Sequence, residues 1–275
     1  MKTLYISDLD GTLLNKNAEV SDCTVTMLNK LIAEGLYFSI ATARTAATVV
    51  KMLENININT PIILMNGVCI YDLIAKKYIK TEKISDTAKK DMLSIIKKHH
   101  LSGFLYTIDN DVLNTYYENT DSPNAKDFIK ERTEKFGKVF TLVKNFTLCI
   151  EKNIVYYSIS DKKEKLDAAY EQILTVEDLH IEYYCDIYKE DYWYLEICSN
   201  TASKYNATEF LKIKYGFDKV IGFGDNLNDL SLFEACDESY AVENAKQIVK
   251  DKAAGIIESN ENNGVVKWIL NNVVK

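Results

Sequence analysis

The sequence predicts an α/β protein: a doubly wound, Rossmann-like parallel sheet interrupted by an inserted α+β module. Three observations carry this. Over residues 1–83 short apolar runs alternate with helical patterns. The same alternation resumes over residues 193–275. Between them, over 84–192, strand-like runs follow one another through short turns, as in an antiparallel sheet. The expected α/β core is therefore discontinuous, 1–83 and 193–275, with 84–192 inserted as a separate domain.

The first element is a buried strand, Thr3–Ser7, built on Leu4, Tyr5 and Ile6. It runs into Ser7-Asp8-Leu9-Asp10-Gly11-Thr12-Leu13. A helix begins near Ser21, its N-cap, with Val25, Leu28, Leu31 and Ile32 on one face, and Gly35 ends it. Leu36–Ala41 reads as a parallel strand. It leads through Thr42-Ala43-Arg44-Thr45 into a helix over Ala46–Glu54. Pro61–Met65 is a third strand, closing at Asn66-Gly67, and Val68–Thr81 reads as a hairpin.

The insert is expected to hold helices Asp86–His99, Asn124–Lys135 and Lys162–Thr175 on one face of a sheet. Its strand pairs are Phe104–Ile108 with Val112–Thr115, through the turn Asp109-Asn110-Asp111, and Val155–Ser160 with Ile181–Cys185. Tyr116, Tyr117, Tyr156, Tyr157, Tyr183, Tyr184, Tyr188, Tyr192 and Tyr194 cluster there, read as β-propensity and sheet packing rather than a stacking surface. After Trp193–Cys198 the pattern reverts. Ser203–Tyr215 is helical, Lys219–Phe223 a strand, and Asp225–Ala235 a helix. Short strands Tyr240–Val242 and Gly255–Ile257 then alternate with helices Ala245–Asp251 and Gly264–Val273.

Composition narrows the function classes. The chain has 275 residues, 47% hydrophobic and 27% charged, with a net charge of −7 and both signs interspersed. That balance does not suggest a nucleic-acid groove. No apolar run approaches the roughly 18 residues of a membrane span. The start, Met-Lys-Thr, enters the first strand without a signal-peptide pattern, so a cytoplasmic location is expected. Six scattered cysteines without a CxxC pair read as free thiols rather than disulfides or a zinc site.

The chemistry concentrates at strand ends. Asp8 and Asp10, two apart at the end of an extended segment, are expected on one side of the chain, with Gly11 permitting a turn. Taken alone the motif also reads as an Asp-Gly hairpin turn. The calcium-loop pattern is not met, because its glycine falls at the wrong position. Partners later in the chain favour a site. Gly222-Phe223-Gly224-Asp225-Asn226-Leu227-Asn228-Asp229 also follows a strand, and Asp225 and Asp229 are spaced to meet at a helix start. An N-cap explains one of these carboxylates but not the whole set. Four carboxylates, Asp8, Asp10, Asp225 and Asp229, suit a Mg²⁺ ion. Thr42 ends the second strand, where a hydroxyl and nearby amides can meet an anion. Lys204 stands at a helix start, the electrostatically unfavourable end for a cation, which suggests that it is aimed at an anion.

Asp-x-Asp-Gly-Thr, a Thr ending the next strand, a Lys, and Gly-Asp-x-x-Asn-Asp, in that order, resemble the haloacid dehalogenase superfamily of phosphatases. The large insert between Thr42 and Lys204, with Asn66-Gly67 before it, resembles the Cof-type branch with its α+β cap. The resemblance covers essentially the whole chain. It departs from the pattern at Tyr205, where such proteins often carry a glycine after the lysine.

The resemblance implies that Asp8 is the nucleophile and Asp10 the general acid/base. It implies that Thr42 and Lys204 hold the phosphoryl oxygens. Asp225 would bind Mg²⁺ with the Asp8 carboxylate and the Asp10 backbone carbonyl, and Asp229 would support the metal shell. Arg44, Asn66 and Asn228 are further substrate-binding candidates. Arg44 would contact substrate phosphate or bridge backbone carbonyls. The implied activity is Mg²⁺-dependent hydrolysis of small phosphorylated metabolites (sugar phosphates, nucleotides or phosphorylated cofactors) through an aspartyl-phosphate, with the cap selecting the leaving group. The rival enzyme reading is a sugar phosphomutase, which needs a cap able to hold a bisphosphate; no basic pair in 84–192 announces one. The rival from another class is a phosphate-binding or phospho-Asp receiver protein. A phospho-acceptor on the first strand, with a second acid two residues later, favours turnover over storage. The substrate and the oligomeric state are not legible.

Overall fold

A computed structural model describes residues 1–121, 123–185 and 191–273 of the chain. They form two compact units, residues 1–80 with 203–273 and residues 81–202.

The first unit starts with β1 (Thr3–Ser7), α1 (Asp22–Ala33), β2 (Tyr37–Ile40) and α2 (Ala46–Met52). It continues with β3 (Ile62–Leu64), β4 (Cys69–Asp72) and β5 (Lys77–Thr81). In the second unit come α3 (Asp86–Lys98), β6 (Phe104–Asp109), β7 (Val112–Tyr117) and α4 (Pro123–Phe136). There follow β8 (Phe140–Leu142), β9 (Ile154–Lys162), α5 (Lys163–Ile173), β10 (Leu179–Cys185) and β11 (Tyr192–Ser199). The chain then returns to the first unit. Its elements there are α6 (Lys204–Tyr215), β12 (Lys219–Gly224), α7 (Leu230–Ala235), β13 (Glu238–Val242), α8 (Gln247–Lys250), β14 (Gly255–Ile257) and α9 (Gly264–Asn272).

The first unit is built on a five-stranded sheet, β14-β13-β12-β1-β2, parallel throughout. Strands of such a sheet are covered on both faces and so read as apolar runs. Leu4, Ile6, Phe38, Ile40, Val220 and Phe223 are accordingly inaccessible to solvent. Ser21 caps α1 by accepting a bond from the Thr24 amide. The third expected parallel strand behaves differently. β3 pairs antiparallel with β4 in a small sheet, β3-β4-β5. It meets the parallel sheet through a bridge between Ala41 and Ile63 and the bond from the Thr42 amide to the Ile63 carbonyl.

The second unit is a six-stranded sheet, β10-β11-β9-β6-β7-β8, antiparallel except where β8 joins β7. Three expectations change here. β9 does not pair with β10, because β11 lies between them. Since β11 is Tyr192–Ser199, the division falls at 202/203 rather than 192/193, and at 80/81 rather than 83/84. Nor do all helices lie on one face. α3 and α5 supply Met92, Ile96, Leu166 and Ile173 to a core with Leu105, Tyr157, Ile159, Leu195 and Ile197. Alternate residues of the same strands face the other way. There α4 packs through Phe128 against Phe104, and through Asn124 against Ser160.

Tyr157 is fully buried and Tyr116 lies in the core, as sheet packing predicts. Tyr184 and Tyr194 stack on the opposite face, 5.4 Å apart. Tyr188 lies outside the described residues. All six cysteines are free thiols. Among the described residues no helix is long and apolar enough to cross a membrane.

Candidate active site

The site lies in the first unit, where the central strands β1 and β12 end. The Asp8 amide still pairs with the Phe223 carbonyl at 2.9 Å, so Asp8 continues the sheet by one residue. A wide turn, Leu9–Leu13, then carries the chain away, with Gly11 at φ 78°. A Cβ on Gly11 would sit 2.4 Å from Asp225 Oδ2. Only glycine combines that φ with that approach.

Lys204 occupies the centre. Ser203 caps α6 by accepting from the Asn206 amide, and the next side chain runs inward. Lys204 is 1% exposed. Its Nζ donates to Asp8 Oδ1 and to Asp229 Oδ1, each at 2.7 Å. Gly67 secures this placement. It follows Met65 and Asn66, both at positive φ, and a Cβ on it would lie 2.1 Å from the Ser203 carbonyl oxygen. The loop after β3 thus presses directly on the residue that starts α6.

Asp229 is fully buried, and its second oxygen accepts from the amides of Asp225 and Asn226. It therefore closes the turn after β12 while holding Lys204. Asp225 is half-buried and accepts from Thr12 Oγ1 at 3.2 Å. Oxygens of Asp8, Asp225 and Asp229 lie within 4.8 Å of one another. Burial pushes the Asp8 carboxyl well above its ordinary range, Asp229 adds to this, and Lys204 opposes it. Burial, and then Asp229, raise Asp225 to about 6. The burial of Lys204 works against its charge, but Asp8 and Asp229 outweigh that and raise its pKa. Three carboxylates around one ammonium leave negative charge in excess.

That donor set fits a hard divalent cation. Asp229 has both oxygens engaged. Asp8 and Asp225 each keep one oxygen without a hydrogen-bond donor among the described residues. These two would ligate Mg²⁺ directly, with Asp229 fixing the frame around them.

Of the four carboxylates expected together, Asp10 stands outside the group. Its side chain is 50% exposed and paired with Arg44, Nε to Oδ2 at 2.7 Å and Nη2 to Oδ1 at 2.6 Å. The i, i+2 rule fails for Asp8 and Asp10 because the strand ends at Ser7 and the turn begins at Leu9. Neither anticipated role of Arg44 describes this contact with Asp10. Thr42 is fully buried, and its hydroxyl oxygen accepts from the Arg44 amide at 3.2 Å, leaving the hydroxyl proton to donate. Asn228 Nδ2 donates to Asn66 Oδ1 at 3.1 Å, tying the loops after β12 and β3. Tyr205 is exposed, and the reach of Lys204 to both aspartates is unaffected by it. Thr12 and Gly67 are not among the site residues that the sequence points to. Their signal lay in the motifs themselves, Asp-Gly-Thr and Asn-Gly.

Residues 5–269 match the family of haloacid dehalogenase-like hydrolases. The chain belongs to that family. It is an enzyme, a phosphoric monoester hydrolase. Among its relatives is pyridoxal phosphate phosphatase YbhA of Escherichia coli (strain K12), 24% identical over 97% of each chain. Another is 5-amino-6-(5-phospho-D-ribitylamino)uracil phosphatase YwtE of Bacillus subtilis (strain 168), 25% identical over 98% of this chain and 97% of the relative. A crystal structure from Thermotoga maritima superposes on this haloacid dehalogenase-like hydrolase with a TM-score of 0.80 at 27% identity, covering 100% of this chain and 99% of that one.

Proposed function

We propose that this hydrolase cleaves small phosphorylated metabolites through a phosphoryl group carried on Asp8, with Mg²⁺ held by Asp8 and Asp225. One observation supports the reading above others. Two carboxylates two residues apart occupy opposite environments: Asp8 is buried against Lys204, and Asp10 is exposed and held by Arg44. Acid/base and nucleophilic roles separate when environments differ in this way.

In the first displacement one oxygen of the Asp8 carboxylate forms a bond to phosphorus, the other remaining available to the metal, and the ester P–O bond breaks. The electron pair goes to the leaving oxygen, which takes a proton from Asp10. In the second, Asp10 removes a proton from water, whose oxygen bonds to phosphorus as the P–O bond to Asp8 breaks. The Asp8 carboxylate is restored. Lys204 and the Thr42 hydroxyl stabilise the phosphoryl oxygens. Mg²⁺, when bound, neutralises charge between the two anions that must approach.

The substrates named for the relatives, pyridoxal phosphate and a phospho-ribitylamino compound, fall within the proposed class of sugar phosphates, nucleotides and phosphorylated cofactors. The test is phosphate release from such a panel, with and without Mg²⁺. Turnover that requires the metal and favours particular members supports the reading. Undiminished turnover by metal-stripped enzyme overturns it.

A further inference from the structure

The second unit contains two cations without an acidic partner among the described residues. Lys138 is 9% exposed, buried for a lysine. Among the described residues its Nζ has no carboxylate and no hydrogen-bond acceptor; it meets only ring faces. It lies 4.6 Å from the Tyr106 centroid, 5.1 Å from Phe140 and 5.8 Å from Phe128. Arg132 is half-buried and likewise lacks an acidic partner among the described residues. Its guanidinium lies 5.4 Å from the same Phe128 ring and 5.6 Å from Phe136.

Their proximity is built into the backbone. α4 ends at Phe136, and Gly137 takes φ 64°. The chain reverses there, and the Lys138 amide donates to the Arg132 carbonyl at 3.2 Å. Thr133 Oγ1 donates to the Lys138 carbonyl at 3.1 Å. Lys138 is thereby folded back under the helix it follows, against Phe128 and Phe140, and the Phe140 ring packs edge to face with Phe104 and with Phe128.

A structural role explains part of this. Cations are favoured at a helix C-terminus, and ring faces attract them. Neither accounts for burying an ammonium beside a second cation with no carboxylate paired to either among the described residues. Burial, and then the charge of Arg132, bring Lys138 down to about 7. An anion bound at this point would relieve both effects.

We propose that Arg132 and Lys138 form a binding site for a phosphate-type dianion, either a free ion or a phosphate group borne on carbon. The guanidinium supplies a planar fork for two oxygens and the ammonium a point charge. The aromatic cluster holds both in place. The sequence hides the pair, because six positions apart on a helix do not share a face. Only the reversal at Gly137 brings them to one ring. The proposal does not depend on the chemistry at Asp8.

The test is an amide ¹H–¹⁵N titration of the whole protein with inorganic phosphate and, separately, with methylphosphonate. Saturable shifts at amides of residues 128–140 are expected, and the tighter of the two probes identifies the source. Arg132→Gln is expected to weaken binding about tenfold, the loss of one charge-assisted contact. Lys138→Met should do the same and Lys138→Arg should retain binding. Should Lys138→Met fail to fold, Arg132→Gln carries the test, since that side chain is only half-buried. Shifts confined to the loops around Asp8 and Lys204, or shifts at 128–140 undiminished in Arg132→Gln, overturn the proposal. Activity on an aryl phosphate, unchanged in Arg132→Gln, separates this outcome from any failure at the catalytic centre.

Discussion

Arg44 grips Asp10 by both carboxylate oxygens, at 2.7 and 2.6 Å. With Asp10 half exposed, such a pair contributes at most about 1 kcal/mol to stability. Its value lies in aiming the carboxyl. Asp10→Asn is expected to lower kcat by about a hundredfold or more, the usual scale for a lost general acid/base. Arg44→Gln is expected to lower kcat about tenfold with little change in thermal stability. In the double variant the losses should not add, because Arg44 acts through Asp10. Additive losses in kcat/KM would instead make Arg44 a direct substrate contact.

The proposed covalent step has a stereochemical signature. Each in-line displacement inverts configuration at phosphorus, so two give net retention. Retention is expected with a substrate made chiral at phosphorus by oxygen isotopes. Asp8→Asn should abolish turnover, although it removes the proposed metal ligand and the proposed nucleophile together. Net inversion would exclude Asp8 as nucleophile and leave the cluster as a centre that activates water.

Stability of the metal-free protein should depend on pH through Asp225. Its carboxyl is raised to about 6, whereas an unfolded chain releases the same proton near about 3.9. Between those values the folded state binds more protons than the unfolded one. Stability therefore falls as pH rises through this window and levels off above it. Asp225→Asn removes that contribution. In chelator, its stability relative to the unsubstituted protein should rise between pH 4 and pH 7 by on the order of 1–2 kcal/mol, after discounting for solvent screening. Urea titrations at each pH measure it. A difference independent of pH contradicts the assignment.

Excising residues 81–202 in favour of a short linker should leave a folded protein. All five strands of the parallel sheet, and Asp8, Thr42, Lys204, Asp225 and Asp229, lie outside that span. Cooperative unfolding and Mg²⁺ binding by the shortened chain are the measurements. A chain that does not fold would show that the first unit lacks independent stability.

The parts of the site legible in sequence were those set by strand ends. Asp8, Thr42 and Asp225 each follow an apolar run, and a parallel sheet brings such ends together. Lys204 was legible because a lysine at a helix start is out of place electrostatically. The position of Asp10 was not, since it depends on where the strand stops and on the reach of Arg44. In sequence β11 reads as part of the core, because an apolar strand carries no mark of its partner. Its pairing with β9 and β10 is a register relation between segments apart in sequence. Arg132 and Lys138 were hidden for a similar reason, as a single left-handed residue decides that they meet.

The parallel arrangement of β1 beside β12 also orders events in time. Lys204 and Asp8 are 196 residues apart, and Thr12 and Asp225 are 213 apart. Contacts that close such long loops form late, because chain entropy is lost before they repay it. The second unit closes its own sheet from one continuous stretch and shortens the loop left to close. During synthesis Asp8 emerges long before Lys204, Asp225 and Asp229, so an incomplete chain carries a carboxylate at that position but not the cluster that surrounds it. Recovery of activity on refolding is accordingly the final event, and it reports that the whole molecule has assembled.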